Sequence, residues 1–399
     1  MPEATFRALS RGHLPRSRAQ KKAFTRQSLA PRDCKRDKQS CISVIVRPVS
    51  PAMLDTQPIV RSLFSGVALR VWRALQALVL IIGIVIVGAL FVAPRTGLHL
   101  LWNVLIPVAP ALLVVAPGVW RNVCPMATFS LLPRHFGLSR KKHLGASTQG
   151  WMAAGALALL LLIVPLRHVI FDTNGPAIGI ALVVVALLAA GLGMAFEWKS
   201  AWCSGLCPVY PVELLYGQSP LVGVQNAHCR TCENCVSPCR DATADLNPAN
   251  FNAAAPAKWS GLALVGGFPG FIWGWFQVPD YQGWEGFRHL PFAYGVPLSA
   301  MAATLVLFLG LRLWLKGPRE VLLIRAFAAA AVIVYYWFRL PGMLGFGGDP
   351  AAALIDMRST LPSATPTVLR ALAISVFAWL IVAKPRRAVL WAAKAQVSR

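Results

Sequence analysis

The sequence predicts an all-α, polytopic membrane protein of about eight transmembrane helices. Three observations carry that expectation. Across 399 residues the mean hydropathy is +0.57 and only 14% of residues are charged, far more apolar than a soluble domain of this size needs to be. Charge-free runs close to the ~20 residues that span a ~30 Å hydrocarbon core recur along the chain. Lysine and arginine gather in alternate loops between those runs.

Taken in order, the strong runs are 74–93, 98–120, 151–166, 176–196, 259–278 and 291–311. The third is short unless it continues past Arg167 and His168 to Phe171. Two weaker runs, 321–338 and 365–383, carry Arg325 and Arg370 near an end, where a long side chain can snorkel to the headgroups. With the N-terminus inside, the inner loops 121–150, 198–258 and 312–320 and the tail 384–399 hold 17 basic residues. The outer loops hold five: Arg95, Arg167, Arg288, Arg339 and Arg358. This asymmetry predicts a multi-pass inner-membrane protein with both termini in the cytoplasm. The chain then divides into a basic arm (1–60), four helices with an intervening loop at 121–150 (70–198), a polar segment (199–258), four more helices (259–384) and a basic tail (385–399).

The net charge of +24 does not indicate a nucleic-acid partner. Residues 1–52 contain twelve Lys and Arg against three acids and no apolar run long enough to pack, which reads as a disordered arm solvated at anionic lipid headgroups. Met53, just before the first membrane sequence, is an alternative start that would leave the arm out of the protein. A cleaved signal peptide does not fit, because the first strong apolar run begins beyond residue 70.

Of nine cysteines, Cys34 and Cys41 lie in the arm. The other seven, Cys124, Cys203, Cys207, Cys229, Cys232, Cys235 and Cys239, fall in the two inner loops, where a reducing compartment favours metal or redox chemistry over disulfides. Cys229, Cys232, Cys235 and Cys239 are spaced C-x2-C-x2-C-x3-C, the ferredoxin run for a cubane iron–sulfur cluster. Three thiolates in seven residues wrap three corners of one cube, whereas zinc sites pair one C-x2-C with a distant second pair. The remote ligand of such a cluster is typically a cysteine before proline, and the chain offers two: Cys207–Pro208 in WCSGLCPVYP and Cys124–Pro125 in RNVCPMATF. Proline suits the first turn of a helix whose free N–H groups face an anion.

The stretch WCSGLCPVYPVELLYGQ, at the end of a hydrophobic span and with an aromatic before its C-x3-C-P, resembles the membrane-bound polyferredoxins. That superfamily includes the quinol-dehydrogenase subunit of periplasmic nitrate reduction, the regulatory protein of nitrous oxide reduction and the cytochrome oxidase accessory protein. The resemblance covers roughly residues 119–240 and implies a multi-span protein whose cytoplasmic cubane clusters exchange single electrons with a membrane or periplasmic partner. The chain departs from the family in having one ferredoxin run instead of two, Arg240 after the fourth cysteine, and outer loops too short for a flavin-attachment domain.

One or two 4Fe–4S clusters fit the seven cysteines. One scheme gives Cys229, Cys232, Cys235 and Cys207 to the first and Cys239, Cys203 and Cys124 to the second, with His228, His143 or a solvent species as the eighth ligand. His99 and His168, near the outer span ends, are placed to hold a haem or contact a quinone, or simply to bond to headgroups. His289 has no evident partner, and Trp273, Trp275, Tyr281 and Trp284 read as an interfacial belt. No Ser/His/Asp set, phosphate loop or catalytic carboxylate pair stands out, and Glu233, Asp241 and Asp245 read as loop charges. Three functional readings stand. In the first the protein relays electrons between a cytoplasmic donor or the quinone pool and a partner redox enzyme; in the second it is an accessory factor reducing a metal or thiol during maturation of a membrane complex. The third is a non-redox membrane protein with a structural metal loop.

Overall fold

The computed structural model describes residues 66–140, 142, 144–196, 201–224, 227–228, 255–347 and 353–384. They are helical, with no sheet among them. The first half contains α1 (Gly66–Val92), α2 (Pro94–His99), α3 (Ile106–Val115), α4 (Pro117–Val123), α5 (Pro125–His135), α6 (Ala146–Leu166), α7 (Gly175–Ala195) and α8 (Val209–Tyr216). The second contains α9 (Ala255–Trp275), α10 (Leu290–Trp314), α11 (Pro318–Met343) and α12 (Thr365–Ala378). Wider π-turns at Leu100–Leu105, Arg167–Phe171, Trp202–Leu206 and Trp379–Ala383 extend or join them.

Among the described residues, seven helices are long and apolar enough to cross a membrane: Ala68–Val92, Pro94–Val115, Ser147–Phe171, Gly175–Ala195, Gly283–Trp314, Pro318–Met343 and Thr365–Ala383. The chain is thus a multi-pass membrane protein whose outward apolar faces, such as Ile81, Ile84 and Val85 of α1, meet lipid. The third span does continue to Phe171, through the π-turn. The second ends five residues earlier than its hydropathy suggests: Ala116 is pulled out of the helix (φ −149°, ψ 66°) because Pro117 follows it.

The run expected as a fifth span is the 21-residue α9, and it differs from the other seven in apolarity. Its GGFPGFIWGW stretch spends positions on glycine, proline and tryptophan that the other spans give to leucine and valine. The reason is its place in the fold. It packs along α10, α6 and α11, and residues 261–272 are largely buried. Glycines four residues apart, Gly266, Gly270 and Gly274, face α10: an added Cβ would lie 2.7 Å from Phe308 at the first and 2.7 Å from Pro297 at the third, and against the Ala300 carbonyl at the middle one. Small residues at this spacing let two backbones approach closely where apolar burial gives no preference for protein over lipid. Gly270→Leu should lower stability in detergent by about 1–3 kcal/mol or more through overpacking. Thermal unfolding checks it, with Gly310→Leu, where a Cβ meets nothing within 4 Å, as the neutral control.

The main core joins α3, α6, α8, α9, α11 and α12 through residues such as Leu113, Leu160, Leu215, Phe268, Phe271, Ile324 and Phe377. Tyr336 of α11 reaches into α3, where its hydroxyl accepts from the Ala111 N–H (2.9 Å) and donates to the Pro107 carbonyl (2.6 Å). These two groups stand one helical turn apart, so the hydroxyl bridges a rung of the α3 ladder and ties the two spans together.

Candidate metal centre

Two short loops at one end of the bundle are built the same way. Cys124 closes α4 with φ −57° and ψ 122°, and Pro125 opens α5. Cys207 closes the turn Trp202–Leu206 with φ −61° and ψ 121°, and Pro208 caps α8. Each cysteine is held extended because proline disfavours helical geometry in the residue before it. The Cys124 N–H still donates to Trp120 O (3.0 Å) and the Cys207 N–H to Trp202 O (2.9 Å). Their carbonyls accept the first amides beyond, from Ala127 (3.1 Å) and Tyr210 (3.1 Å). The spans hold the loops in place. Pro125 packs on Gly83 of α1, Gly193 of α7 lies against the Ser130 carbonyl of α5, and Leu206 lies against Gly155 of α6.

The result is that Cys124, Cys203 and Cys207, each half-buried, line one pocket with Trp120, Arg121, Met126, Trp202, Tyr210 and Glu213. About 400 Å³ of non-atom space, open solvent included, lies within and in front of the pocket. Among the described residues its sulfurs do not close round a single point, as ligands of one ion do; the one group that does is His168, Asp172 and Asp280 at the other end of the bundle. Burial pushes the Cys207 thiol up to about 12, and Cys124 and Glu213 nearby add to the rise against the opposing amide hydrogen bonds of Val209 and Tyr210. A thiol in that setting stays protonated unless a cation takes the place of its proton.

Next to the thiols, Arg121 and Glu213 form a buried ion pair with side chains only 8% and 7% exposed. The Arg121 guanidinium also faces the Tyr210 ring at 6.0 Å. The following residue, Asn122, is fully buried and anchors the chain that leads to the ferredoxin run. Its side-chain oxygen accepts the Ala227 N–H (2.8 Å), its carbonyl accepts from Gln76 of α1 (2.9 Å), and that Gln76 amide lies 3.5 Å from His228 Nε2. Upstream, the N–H groups of Leu221 and Val222 cap the Val115 carbonyl, and Val224 crosses Gly118 so closely that a Cβ there would sit 2.7 Å from its carbonyl. Residues 221–224 and 227–228 therefore lie over α3 and α4, and His228 stops beside α1 and α4, one residue before Cys229.

Cys229, Cys232, Cys235 and Cys239 lie outside the described residues, as do His143, Cys34 and Cys41. The three expected ligands within them, Cys124, Cys203 and Cys207, share one pocket wall. Sequence reading passed over Arg121, Glu213, Gln76 and Asn122. The first two flank the cysteines, but nothing local pairs α4 with α8.

At the other end, the histidines are engaged. His168 sets Nδ1 against Asp280 and Nε2 on the Trp275 carbonyl (3.0 Å), with its ring over Trp275 at 4.6 Å. Arg167 pairs with Asp172 (3.0 Å) and sits between the rings of Trp102 (3.9 Å) and Trp275 (4.7 Å). His99 Nδ1 meets the Asn103 amide at 3.0 Å, and His289 stacks on Tyr281 at 4.2 Å. Trp275, expected in the interfacial belt, is instead 8% exposed and part of this network, because its indole N–H and carbonyl bind Val164 and His168 of the α6 segment. Trp273 and Trp284 do face outward.

Comparison with protein-family models, with curated proteins and with solved structures finds no match for this chain.

Proposed function

We propose that this chain is a membrane electron-transfer protein that holds cubane iron–sulfur chemistry at the cysteine end of its bundle, akin to the membrane-bound polyferredoxins. The observation that carries the reading is convergence. Two Cys-Pro loops from different parts of the chain bring Cys124, Cys203 and Cys207 to one pocket, and the chain entering the C-x2-C-x2-C-x3-C run is tethered to Asn122, two residues from Cys124. A cluster, when bound, supplies reversible one-electron chemistry at a potential set by its surroundings.

The chemistry of the residues present supports such a group. Soft thiolates suit iron–sulfur clusters. The helix start at α8 aims the Val209 and Tyr210 amides at the Cys207 sulfur, as an anionic occupant requires. The indole N–H of Trp202, buried in the wall, has no hydrogen-bond partner among the described residues. On this reading α9 is a fifth of eight spans, both termini and the cysteine end face the cytoplasm, and the electrons pass between a cytoplasmic donor or membrane quinone and a partner redox protein.

The deciding experiment measures iron, acid-labile sulfide and zinc per chain on protein purified without oxygen, with paramagnetic resonance after dithionite reduction. The expected result is about four irons for one cubane or about eight for two, with matching sulfide. Stoichiometric zinc without iron would overturn the proposal.

A further inference from the structure

We propose that Trp202 donates its indole hydrogen bond to the group held by the pocket cysteines and thereby raises that group's reduction potential; this rests on the iron–sulfur reading above. Trp202 is 4% exposed, lines the pocket and immediately precedes Cys203. Its Nε1 has no acceptor among the described residues. Two other tryptophans show what the fold does with an indole N–H: Trp102 donates to Phe171 O (2.9 Å) and Trp275 to Val164 O (3.1 Å). A buried donor left without an acceptor is destabilising, because it gives up its hydrogen bond to water and gains none in return.

The pocket's own acceptors do not answer the need. The Glu213 carboxylate is engaged with Arg121, the Tyr210 hydroxyl is buried in the same wall with no hydrogen bond to the indole, and the thiol sulfurs are weak acceptors. An anionic sulfide or thiolate is a far better one. Reduction adds one electron to the bound group, breaks no bond and moves no proton; in the titration below dithionite supplies that electron. The donor therefore holds the reduced form, more negative by one charge, more tightly than the oxidised form.

Trp202→Phe should keep its iron and favour the oxidised form about tenfold, a fall of 59 mV in midpoint potential for a one-electron couple. A second variant carries benzothienylalanine at position 202, which keeps the bicyclic shape and replaces only the N–H with sulfur. Both are read by iron content and by a redox titration followed by paramagnetic resonance. A third measurement uses wild-type protein with indole-15N tryptophan, where the reduced centre should show a nitrogen coupling that is lost in Trp202→Phe. Absence of iron from the wild type overturns the underlying reading and this inference with it. Iron retained with unchanged potential in the isosteric variant overturns the inference and leaves the reading standing. Should both variants lose iron, absence of the nitrogen coupling in the wild type overturns the inference, and its presence supports it.

Discussion

On the proposed iron–sulfur reading, Cys124→Ser and Cys207→Ser should each deplete the protein of iron, and to a similar degree, whereas Cys34→Ser and Cys41→Ser should leave iron content unchanged. The equality follows from geometry. Both cysteines end a short helical segment in nearly the same backbone conformation, before a proline that starts the next helix, and both face one pocket. A serine hydroxyl at neutral pH does not replace a thiolate as a soft ligand, so each loss removes one anchor of the bound group. Pro125→Ala and Pro208→Ala keep the sulfur but relax the extended cysteine, so they weaken binding without abolishing it. The measurement is iron and sulfide per chain after anaerobic purification. Full iron in both serine variants, and in the double variant, sinks the assignment of these cysteines.

Glu213→Ala lowers the stability of the folded protein by about 3–5 kcal/mol, and Arg121→Ala does so to a similar extent. The pair joins α4, which leads into Cys124, to α8, which follows Cys207, and both side chains are more than nine-tenths buried. Removing one partner strands a charge away from water, which costs far more than the pair contributes as a whole. The double variant Arg121→Met with Glu213→Leu therefore recovers most of the loss. Unfolding by denaturant in detergent, run as a double-mutant cycle, gives the coupling between the two sites. Equal destabilisation in the double and single variants would show that the side chains act through packing instead of charge.

The site was partly legible before any fold was known. Cys-Pro after a hydrophobic span, twice, beside C-x2-C-x2-C-x3-C is a chemical pattern that depends only on spacing. Gly266, Gly270 and Gly274 of α9 recur in the sequence at the four-residue interval of a helix face, but which helix that face packs against is not written in the spacing. His168 illustrates the opposite case. Its position at a span end suggested a ligand or headgroup contact, while its partners, Asp280 and the Trp275 carbonyl, come from a segment more than a hundred residues away.

What the sequence by itself determined is local in origin: which stretches are apolar enough for lipid, where proline ends a helix, and which cysteines sit at the spacing of a cluster. These follow from hydropathy, backbone sterics and ligand geometry within a few residues. Only the tertiary structure decided that α9 lies within the bundle, that Arg121 and Glu213 neutralise each other, and that Cys124 meets Cys203 and Cys207. Those outcomes depend on which helix faces pack together, and close packing is a property of two surfaces that neither segment carries alone.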